Sequence, residues 1–276
     1  MKTSQLEDIL SGNPSEICLL DARDRDHYQN SHITGAINLN WSQFCKQAPD
    51  KVPDIYKQTG WWGDLKSRQE LKSLNINVDF EKHIVIYGDG AKTKGRDCFL
   101  GWLLYYLGTK NISILDGGWT EWARGARENS KKESATTYHG TQKLNFRKDL
   151  FVSAEELDKS LKNKKGIILI DTRSEEEFSG VDTKHLKPNG HIDGAILLEY
   201  RKLYDSDGSR FLTRPQFMNL PEVQQLLKAD SSVAYCEMGL RAATLALLVE
   251  IYARRTVRVL DGGIFSWTLK EERSIV

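Results

Sequence analysis

Cysteine and proline are scarce in this chain, and neither sign of charge dominates it. Its 276 residues include four cysteines and six prolines, and 39 Lys and Arg residues nearly balance 38 Asp and Glu residues. Because nucleic acids and anionic membranes attract strongly basic proteins, this balance indicates neither partner. No run approaches the roughly 18 apolar residues of a membrane span, and the first residues lack the apolar stretch of a secretory signal. We therefore expect a cytoplasmic protein.

The four cysteines are too sparse for a disulfide framework. Cys18, Cys45, Cys98 and Cys236 form no Cys-x-x-Cys pair, and no Cys/His cluster has the spacing of metal ligands. Free thiols in a reducing compartment are the simpler interpretation. We expect neither a metal nor another cofactor.

A long internal repeat is the main organising feature of the chain. Four blocks occur in the same order in each half of the sequence. They are Leu19-Leu-Asp21-Ala-Arg23 with Leu169-Ile-Asp171-Thr-Arg173, Ser31-His-Ile-Thr-Gly35-Ala-Ile with Gly190-His-Ile-Asp-Gly194-Ala-Ile, Ile84-Val-Ile-Tyr87-Gly88 with Ser232-Val-Ala-Tyr235-Cys236, and Ile114-Leu-Asp116-Gly-Gly-Trp119 with Val259-Leu-Asp261-Gly-Gly-Ile264. The repeat predicts two copies of one domain, at 1–128 and 149–276, joined by a polar linker at 129–148.

Short apolar runs alternate with helical patterns in both copies. This alternation predicts an α/β fold in which each copy is a parallel sheet covered by helices on both faces. The predicted strands are 17–20, 36–39, 84–87, 112–115, 167–170, 195–198, 232–235 and 257–260, and the predicted helices are 98–107, 154–162, 223–227 and 241–251. In such sheets the ligand crevice lies beyond the carboxyl ends of the strands, which is where Cys236 follows its strand.

Cys236 is the candidate nucleophile. It ends an apolar run, Gly239 follows three residues later, and a helix-forming run then begins. A thiol at this position faces unpaired N–H groups and the positive end of a helix dipole, and both favour the thiolate, which is the reactive form. The alternative is that Cys236 is a small buried apolar residue.

Other repeated motifs have structural interpretations. The aspartates that end the strands, Asp21 and Asp171, are suited to accept backbone N–H groups of the following turn. His32 and His191 occur in both copies, so packing and hydrogen bonding explain them better than catalysis does. The two Asp-Gly-Gly turns supply positions with positive φ for a sharp bend.

Together these motifs resemble those of the tandem-domain rhodaneses, a family of sulfurtransferases. The Asp-x-Arg strand end followed by His-Ile-x-Gly-Ala-Ile resembles one family signature, Asp-Gly-Gly resembles another, and Cys236 to Arg241 resembles the six-residue active-site loop. The resemblance implies two α/β domains with sheets of about five parallel strands, of which one is catalytic. Aligning Tyr87 with Tyr235 places Gly88 opposite Cys236, so the second copy is predicted to be catalytic.

The resemblance also implies a two-step transfer of sulfur. The Cys236 thiolate takes a sulfane sulfur from a donor and becomes a persulfide, from which a nucleophilic acceptor takes the sulfur. The loop residues Glu237, Met238, Gly239, Leu240 and Arg241 would surround the sulfur, with backbone N–H groups stabilising its charge. Two roles remain open for Arg241: it binds an anionic donor, or it fixes the loop through carbonyls and a carboxylate.

The identity of the donor is less certain than the chemistry. Thiosulfate, 3-mercaptopyruvate and a protein persulfide are the candidates, and a thiol or a cyanide-like nucleophile is the candidate acceptor. Glu177 and Glu237 stand where thiosulfate-using relatives place basic residues, and their charges should repel a dianion. Arg173 is the remaining candidate for binding an anion near the site, with a salt bridge at the strand end as its alternative role.

Two other functions fit parts of the pattern. Dual-specificity phosphatases of similar fold need Cys-x5-Arg to surround a phosphate, whereas Cys236 and Arg241 are one residue closer. A persulfide carrier that docks on a partner enzyme would use the same cysteine without fast turnover. Because a tandem pair can cover its own interface, we expect a monomer.

Overall fold

The computed structural model describes residues 1–47, 62–134, 143–163, 166–182, 189–270 and 272–276. The helices are α1 (Thr3–Gly12), α2 (Arg25–Asn30), α3 (Arg68–Ser73), α4 (Arg96–Leu107), α5 (Gly118–Arg124), α6 (Ala154–Lys162), α7 (Glu175–Phe178), α8 (Arg214–Met218), α9 (Pro221–Lys228), α10 (Leu240–Ala253) and α11 (Gly263–Thr268). The strands are β1 (Ile17–Asp21), β2 (His32–Ile33), β3 (Ile37–Asn38), β4 (Cys45–Gln47), β5 (Trp62–Leu65), β6 (His83–Tyr87), β7 (Ile112–Ile114), β8 (Asn129–Ser130), β9 (Phe151–Val152), β10 (Ile167–Asp171), β11 (Ala195–Leu197), β12 (Ser231–Tyr235) and β13 (Arg258–Leu260). Among these helices, none has the length and apolar character needed to cross a bilayer.

The chain forms two compact units, and neither unit is continuous in sequence. The first unit consists of Met1–Trp41, Arg68–Arg147 and Tyr204–Phe211, and the second of Ser42–Ser67, Lys148–Leu203 and Leu212–Val276. Each unit therefore contains one short segment from the other half of the sequence. The boundaries predicted from the repeat stay a prediction, and residues 135–142 of the predicted linker lie outside the described residues.

The sheet of the first unit has four described parallel strands in the order β3-β1-β6-β7. Every residue of β1 is buried, as expected for a strand covered on both faces. Leu6 of α1, Tyr28 of α2 and Trp122 of α5 share one apolar cluster with β1 and β6. The opposite face packs on α4, where Gly101 lies close to the side chains of β6 and β7.

The sheet of the second unit has five described parallel strands, in the order β11-β10-β12-β13-β9. Leu169 and Tyr235 in its strands, with Trp267 of α11, belong to one apolar cluster. Helix α10 packs against β12 and β13 and is buried over most of its length, which agrees with its nearly uninterrupted apolar sequence. These two units confirm the predicted α/β class, with parallel sheets flanked by helices.

The two central strand pairs have the same register. Asp21 lies opposite Tyr87 in the first unit, and Asp171 lies opposite Tyr235 in the second. In both units the tyrosine hydroxyl accepts a hydrogen bond of 3.1 Å from a backbone N–H, that of Ile33 or Ile192. This register confirms that Gly88 and Cys236 occupy the same position in the two copies.

The aspartates of the two Asp-Gly-Gly turns also make matching contacts. In the second unit the N–H of Leu65 donates to Asp261 Oδ1 at 2.9 Å. In the first unit the N–H of Phe211 donates to Asp116 Oδ1, also at 2.9 Å. Each donor belongs to the segment that its unit contains from the other half of the sequence. The Asp-Gly-Gly turn of the last repeated block is thus hydrogen-bonded to a distant part of the chain in both units.

Candidate active site

Cys236 lies immediately after β12, and α10 begins at Leu240. Its side chain is buried, and the N–H of Gly239 donates to Sγ at 3.1 Å. Gly239 has φ of 104°, a left-handed conformation that turns the chain from the strand end into the helix and that glycine adopts without strain. The first N–H groups of a helix have no partner within it, so the sulfur lies at an end that favours negative charge.

The first turn of α11 is hydrogen-bonded to the Cys236 loop. The N–H of Ile264 donates to the carbonyl of Cys236 at 2.8 Å, and the N–H of Phe265 donates to that of Glu237 at 3.3 Å. A Cβ atom on Gly263 would lie 2.4 Å from the Glu237 oxygen and 2.6 Å from the Cys236 oxygen. The predicted positive φ is present at 62°, but close backbone approach is a second reason for glycine there.

Arg241 forms a two-pronged ion pair with Glu177. Arg241 Nη1 donates to Glu177 Oε2 at 2.6 Å, and Nη2 donates to Oε1 at 2.8 Å. Glu177 is placed by a capping box, because its carboxylate accepts the N–H of Ser174 at 3.0 Å while its own N–H donates to the Ser174 hydroxyl at 3.3 Å. Of the two roles left open for Arg241, this geometry matches the fixing of the loop.

The charges of this ion pair are strongly coupled. Burial alone would raise the pKa of Glu177, but the hydrogen bonds and charge of Arg241 outweigh it and lower that pKa to about 2. Burial alone would lower the pKa of Arg241, but Glu177, Cys236 and Glu237 raise it. The cation of Arg241 is therefore bound by Glu177 and also interacts electrostatically with Cys236 and Glu237.

The other residues of the predicted loop line the same turn. Leu240 is buried, whereas Glu237 and Met238 are half-buried. Within the described ranges, no group of three or more His, Cys, Asp or Glu side chains is arranged to hold a metal ion.

Arg173 is engaged in a buried ion pair at the end of β10. Its guanidinium donates to Asp171 at 2.7 Å and to the carbonyl of Gly190 at 2.7 Å. Arg23 makes the equivalent contacts with Asp21 and the carbonyl of Ser31 in the unit without a cysteine at this position. Because the arrangement is common to both units, the geometry matches the strand-end salt bridge and does not support anion binding by Arg173.

The repeated histidines have the same structural surroundings in both units. His32 stacks on Tyr28, with ring centroids 3.8 Å apart, and His191 stacks on Phe178 at 3.7 Å. Nδ1 of each ring lies within hydrogen-bonding distance of the backbone carbonyl of its stacking partner. These contacts confirm the interpretation that both histidines pack and bond within the scaffold.

In the first unit, Gly88 is the counterpart of Cys236, and a carboxylate that the sequence patterns did not identify fills the space next to it. A Cβ atom on Gly88 would lie 2.8 Å from Asp97 Oδ2 and 2.9 Å from Thr93 Oγ1. Asp97 is buried, and its Oδ1 accepts the N–H of Cys98 at 2.9 Å. Burial raises its pKa to about 6, and these hydrogen bonds only partly oppose the rise.

Asp97 is the positional counterpart of Arg241. Gly95 and Gly239 both adopt left-handed conformations immediately before the helix, and Asp97 and Arg241 follow two residues later. Counting from this glycine, rather than from the strand end, would have identified the correspondence. The copies therefore differ both at the position of Cys236 and at the ionic residue in the first turn of the following helix.

Comparison with known proteins identifies the class to which this scaffold and loop belong. The chain belongs to the rhodanese-like domain family, whose profile matches residues 2–125 and 153–270. It is 27% identical over 268 residues to a thiosulfate sulfurtransferase of Corynebacterium glutamicum, a match covering 93% of this chain and 83% of that protein.

Many solved structures share the fold across the whole chain, and two of them illustrate the likeness. One is the anaerobic ergothioneine biosynthesis enzyme of Chlorobium limicola in complex with trimethyl histidine, with a TM-score of 0.81 and 19% identity over 69% of that chain. The other is an EanB variant with ergothioneine covalently linked to a cysteine persulfide, also with a TM-score of 0.81 and 19% identity over 69% of its length. At this identity the likeness concerns the fold.

Proposed function

We propose that this protein is a sulfurtransferase that carries sulfur as a persulfide on Cys236. The observation that supports this most directly is the placement of Sγ, which accepts the N–H of Gly239 at the start of α10. The first unit keeps the same strand, register and following helix with Gly88 in place of the cysteine. Since the scaffold does not require a thiol at this position, its presence in the second unit favours a chemical role.

The first step transfers one sulfur atom without net oxidation. The Cys236 thiolate attacks the outer, sulfane sulfur of the donor, a new S–S bond forms, and the bond between that sulfur and the rest of the donor breaks. The bonding pair leaves with the donor remnant, as sulfite from thiosulfate or as a thiolate from an organic persulfide. With 3-mercaptopyruvate the thiolate attacks the thiol sulfur, the C–S bond breaks, and the pair leaves as the enolate of pyruvate. In the second step an acceptor attacks the terminal sulfur, and the Cys236 thiolate is released.

The loop supplies charge stabilisation and shape to both steps. Negative charge on the attacking sulfur, and later on the terminal persulfide sulfur, would be stabilised by N–H groups of the loop and first turn of α10. The ion pair of Arg241 with Glu177 would keep these groups fixed, so that little reorganisation accompanies the reaction. The contact of Gly239 with Sγ belongs to the same arrangement.

The partners follow from this chemistry. We propose a small sulfane donor or a persulfidated protein as the donor, and a thiol or a cyanide-like nucleophile as the acceptor. The names of the relatives support the reaction class, and the thiosulfate in the name of the Corynebacterium glutamicum protein makes that compound one donor to test. A monomer acting in the cytoplasm, without nucleic acid or membrane, stays a prediction from the sequence.

Mass spectrometry of the intact protein tests the proposal. Incubation with thiosulfate, 3-mercaptopyruvate or a persulfidated cysteine desulfurase should add one sulfur atom at Cys236, and cyanide should then release thiocyanate. Cys236→Ser should abolish both, whereas Cys18→Ser, which also replaces a buried thiol, should retain them. If no donor added sulfur at Cys236, the proposal would be wrong. Repeated turnover with small acceptors distinguishes an enzyme from a carrier that transfers only to a docked partner.

A further inference from the structure

A cavity in the first unit involves none of the residues that the proposed sulfur transfer uses. Its volume is about 770 Å³, and its walls come from α1, β1, β3, the segment between α3 and β6, and α5 with the residues after it. Cavities that hold small molecules in proteins enclose about 300–1,000 Å³, so this cavity has the size of a ligand site. The unit without Cys236 therefore has space for a ligand of its own.

The register of the sheet explains where the cavity lies. β6 pairs with β1 along all five residues on one side, but on the other side β3 pairs with β1 only at Leu20 and Asp21. In the second unit the corresponding pairing of β11 begins one residue earlier, at Leu169. Residues 17–19 of β1 line the cavity on the side that β3 leaves uncovered. The short strand β3 thus opens the sheet edge to a ligand.

The wall is mainly apolar, and its thiol is uncharged. Burial raises the pKa of Cys18, and the N–H of Asp79 and the cation of Lys82 only partly oppose the rise, so the thiol stays protonated at neutral pH. Asp79 and Lys82 also line the cavity and carry opposite charges. The buried or half-buried apolar side chains of the wall are those of Leu10, Ile17, Leu19, Ile37 and Trp122.

Two polar side chains of the wall have their partners within the protein. Arg127 Nε donates to Glu7 Oε2 at 2.9 Å, which joins α1 to the segment after α5. Trp122 Nε1 donates to the carbonyl of Glu128 at 3.0 Å. Since these groups are already bonded, the main attraction that the wall offers a ligand is its apolar surface.

We propose that this cavity is a binding site for an uncharged, mainly apolar small molecule. Such a molecule gains free energy by leaving water for the apolar wall, and the neutral thiol of Cys18 offers it a weak hydrogen bond. A charged molecule would lose its hydration on entering, and an anion would have to compete with Glu7 for Arg127. Because the cavity belongs to the unit without Cys236, the proposal does not depend on the proposed sulfurtransferase function.

Two fluorescent probes of similar size and different charge test the proposal. N-phenyl-1-naphthylamine is neutral, and 8-anilino-1-naphthalenesulfonate is an anion. In titrations of the full chain, the neutral probe should saturate at one molecule per chain, and the anionic probe should bind at least about tenfold more weakly. Absence of saturable binding would overturn the site, and equal or tighter binding of the anion would overturn the ligand class.

Leu10→Trp should fill part of the cavity and weaken binding of the neutral probe at least about tenfold. The matched control is Leu161→Trp, since Leu161 has the corresponding position on α6 and packs partly buried in the second unit. This control and Cys236→Ser should keep the affinity of the native protein, with circular dichroism confirming that each variant is folded. Unchanged affinity in Leu10→Trp would show that the probe binds elsewhere, and the proposal would be wrong.

Alkylation of the native chain locates the probe without any substitution. N-ethylmaleimide should modify Cys18 at least about fivefold more slowly when the neutral probe is saturating, because the bound molecule covers the thiol. Mass spectrometry of peptides measures this rate together with that of Cys236, which lies in the other unit and should be unaffected. Equal rates at Cys18 with and without the saturating probe would refute binding in this cavity.

Discussion

At the scale of single residues, the position directly after the central strand holds different residues in the two units. In the second unit it holds Cys236, whose sulfur accepts an N–H group. In the first unit it holds Gly88, and the buried carboxylate of Asp97 occupies the space beside it. Asp97 follows the glycine before its helix as Arg241 does in the other copy, so glycine in place of Cys236 accompanies reversal of a nearby charge.

The buried carboxyl group of Asp97 predicts a pH dependence of stability in the first unit. Because burial raises its pKa from 3.8 to about 6, the folded state binds the proton more tightly than the unfolded state. The stabilisation is complete below about pH 4 and is lost as the pH rises through about 6, by about 3 kcal/mol in total. Asp97→Asn should remove this decline.

Hydrogen exchange of β1 and β6 between pH 4 and 7, corrected for the intrinsic exchange rate, measures this effect. Asp89→Asn, which changes a neighbouring carboxylate in the same loop, should retain the decline of the native protein. An equal decline in Asp97→Asn would show that another group is responsible.

At the scale of elements, the patterns of apolar residues predicted the central strands and the long helices well. The predicted helix at 154–162 matches α6, where Ser153 caps the N-terminus by accepting the N–H of Glu156. The sequence analysis did not identify β9, because two residues, Phe151 and Val152, carry no periodicity. Their strand exists through parallel pairing with β13, which is a tertiary contact.

The glycines of the Asp-Gly-Gly turns were predicted from positive φ, which is only one of two reasons for glycine there. Positive φ explains glycine at these positions, but Gly263 and Gly118 also lie directly against a strand-end carbonyl. A Cβ atom would come within 2.6 Å of the Cys236 oxygen in one unit and within 2.4 Å of the Gly88 oxygen in the other. Only the folded arrangement brings the turn against the loop.

Gly263→Ala should therefore impair both stability and sulfur transfer. The strained φ and the contact with the backbone should cost about 1–3 kcal/mol, and relief of the contact should displace the Cys236 loop. Gly118→Ala is the matched control in the first unit, with a comparable loss of stability expected. Thermal unfolding measures the loss of stability in both variants. Single-turnover persulfidation, measured at a temperature where both variants are folded, should be slower in Gly263→Ala than in Gly118→Ala. Full activity in Gly263→Ala would contradict this role of the turn.

At the scale of the whole molecule, the two compact units of the structure do not coincide with the two halves of the sequence. Segment Ser42–Ser67 belongs to the unit of Cys236, and Tyr204–Phe211 belongs to the other unit. In both cases a backbone N–H of the segment is bound by the aspartate of an Asp-Gly-Gly turn. A boundary drawn from the repeat alone does not capture this exchange, because the exchanged segments lie within the halves.

Core substitutions in the exchanged segments should consequently destabilise the unit that contains them. Phe44, although in the first half of the sequence, is buried in the second unit, and Phe44→Ala should destabilise that unit by about 3–5 kcal/mol. Tyr204→Ala is the reciprocal variant, since Tyr204 is buried in the first unit beside Phe211. Hydrogen exchange should show the larger loss of protection in β10 and β12 for Phe44→Ala, and in β1 and β6 for Tyr204→Ala. The opposite pattern of lost protection would show that each segment is stabilised with its own half of the sequence.

The sequence by itself determined the two copies, their α/β class and the candidate thiol. These properties depend on residues close together in the sequence. They follow from apolar periodicity and from the spacing of the Asp-x-Arg, Asp-Gly-Gly and Cys236 motifs. Only the tertiary structure decided which partners the charged side chains of Arg241 and Asp97 have. Arg241 meets Glu177 across 64 residues of sequence, and Asp97 fills the space at Gly88. A buried charge requires a partner or a shifted pKa, and which one it obtains depends on side chains that only folding brings together.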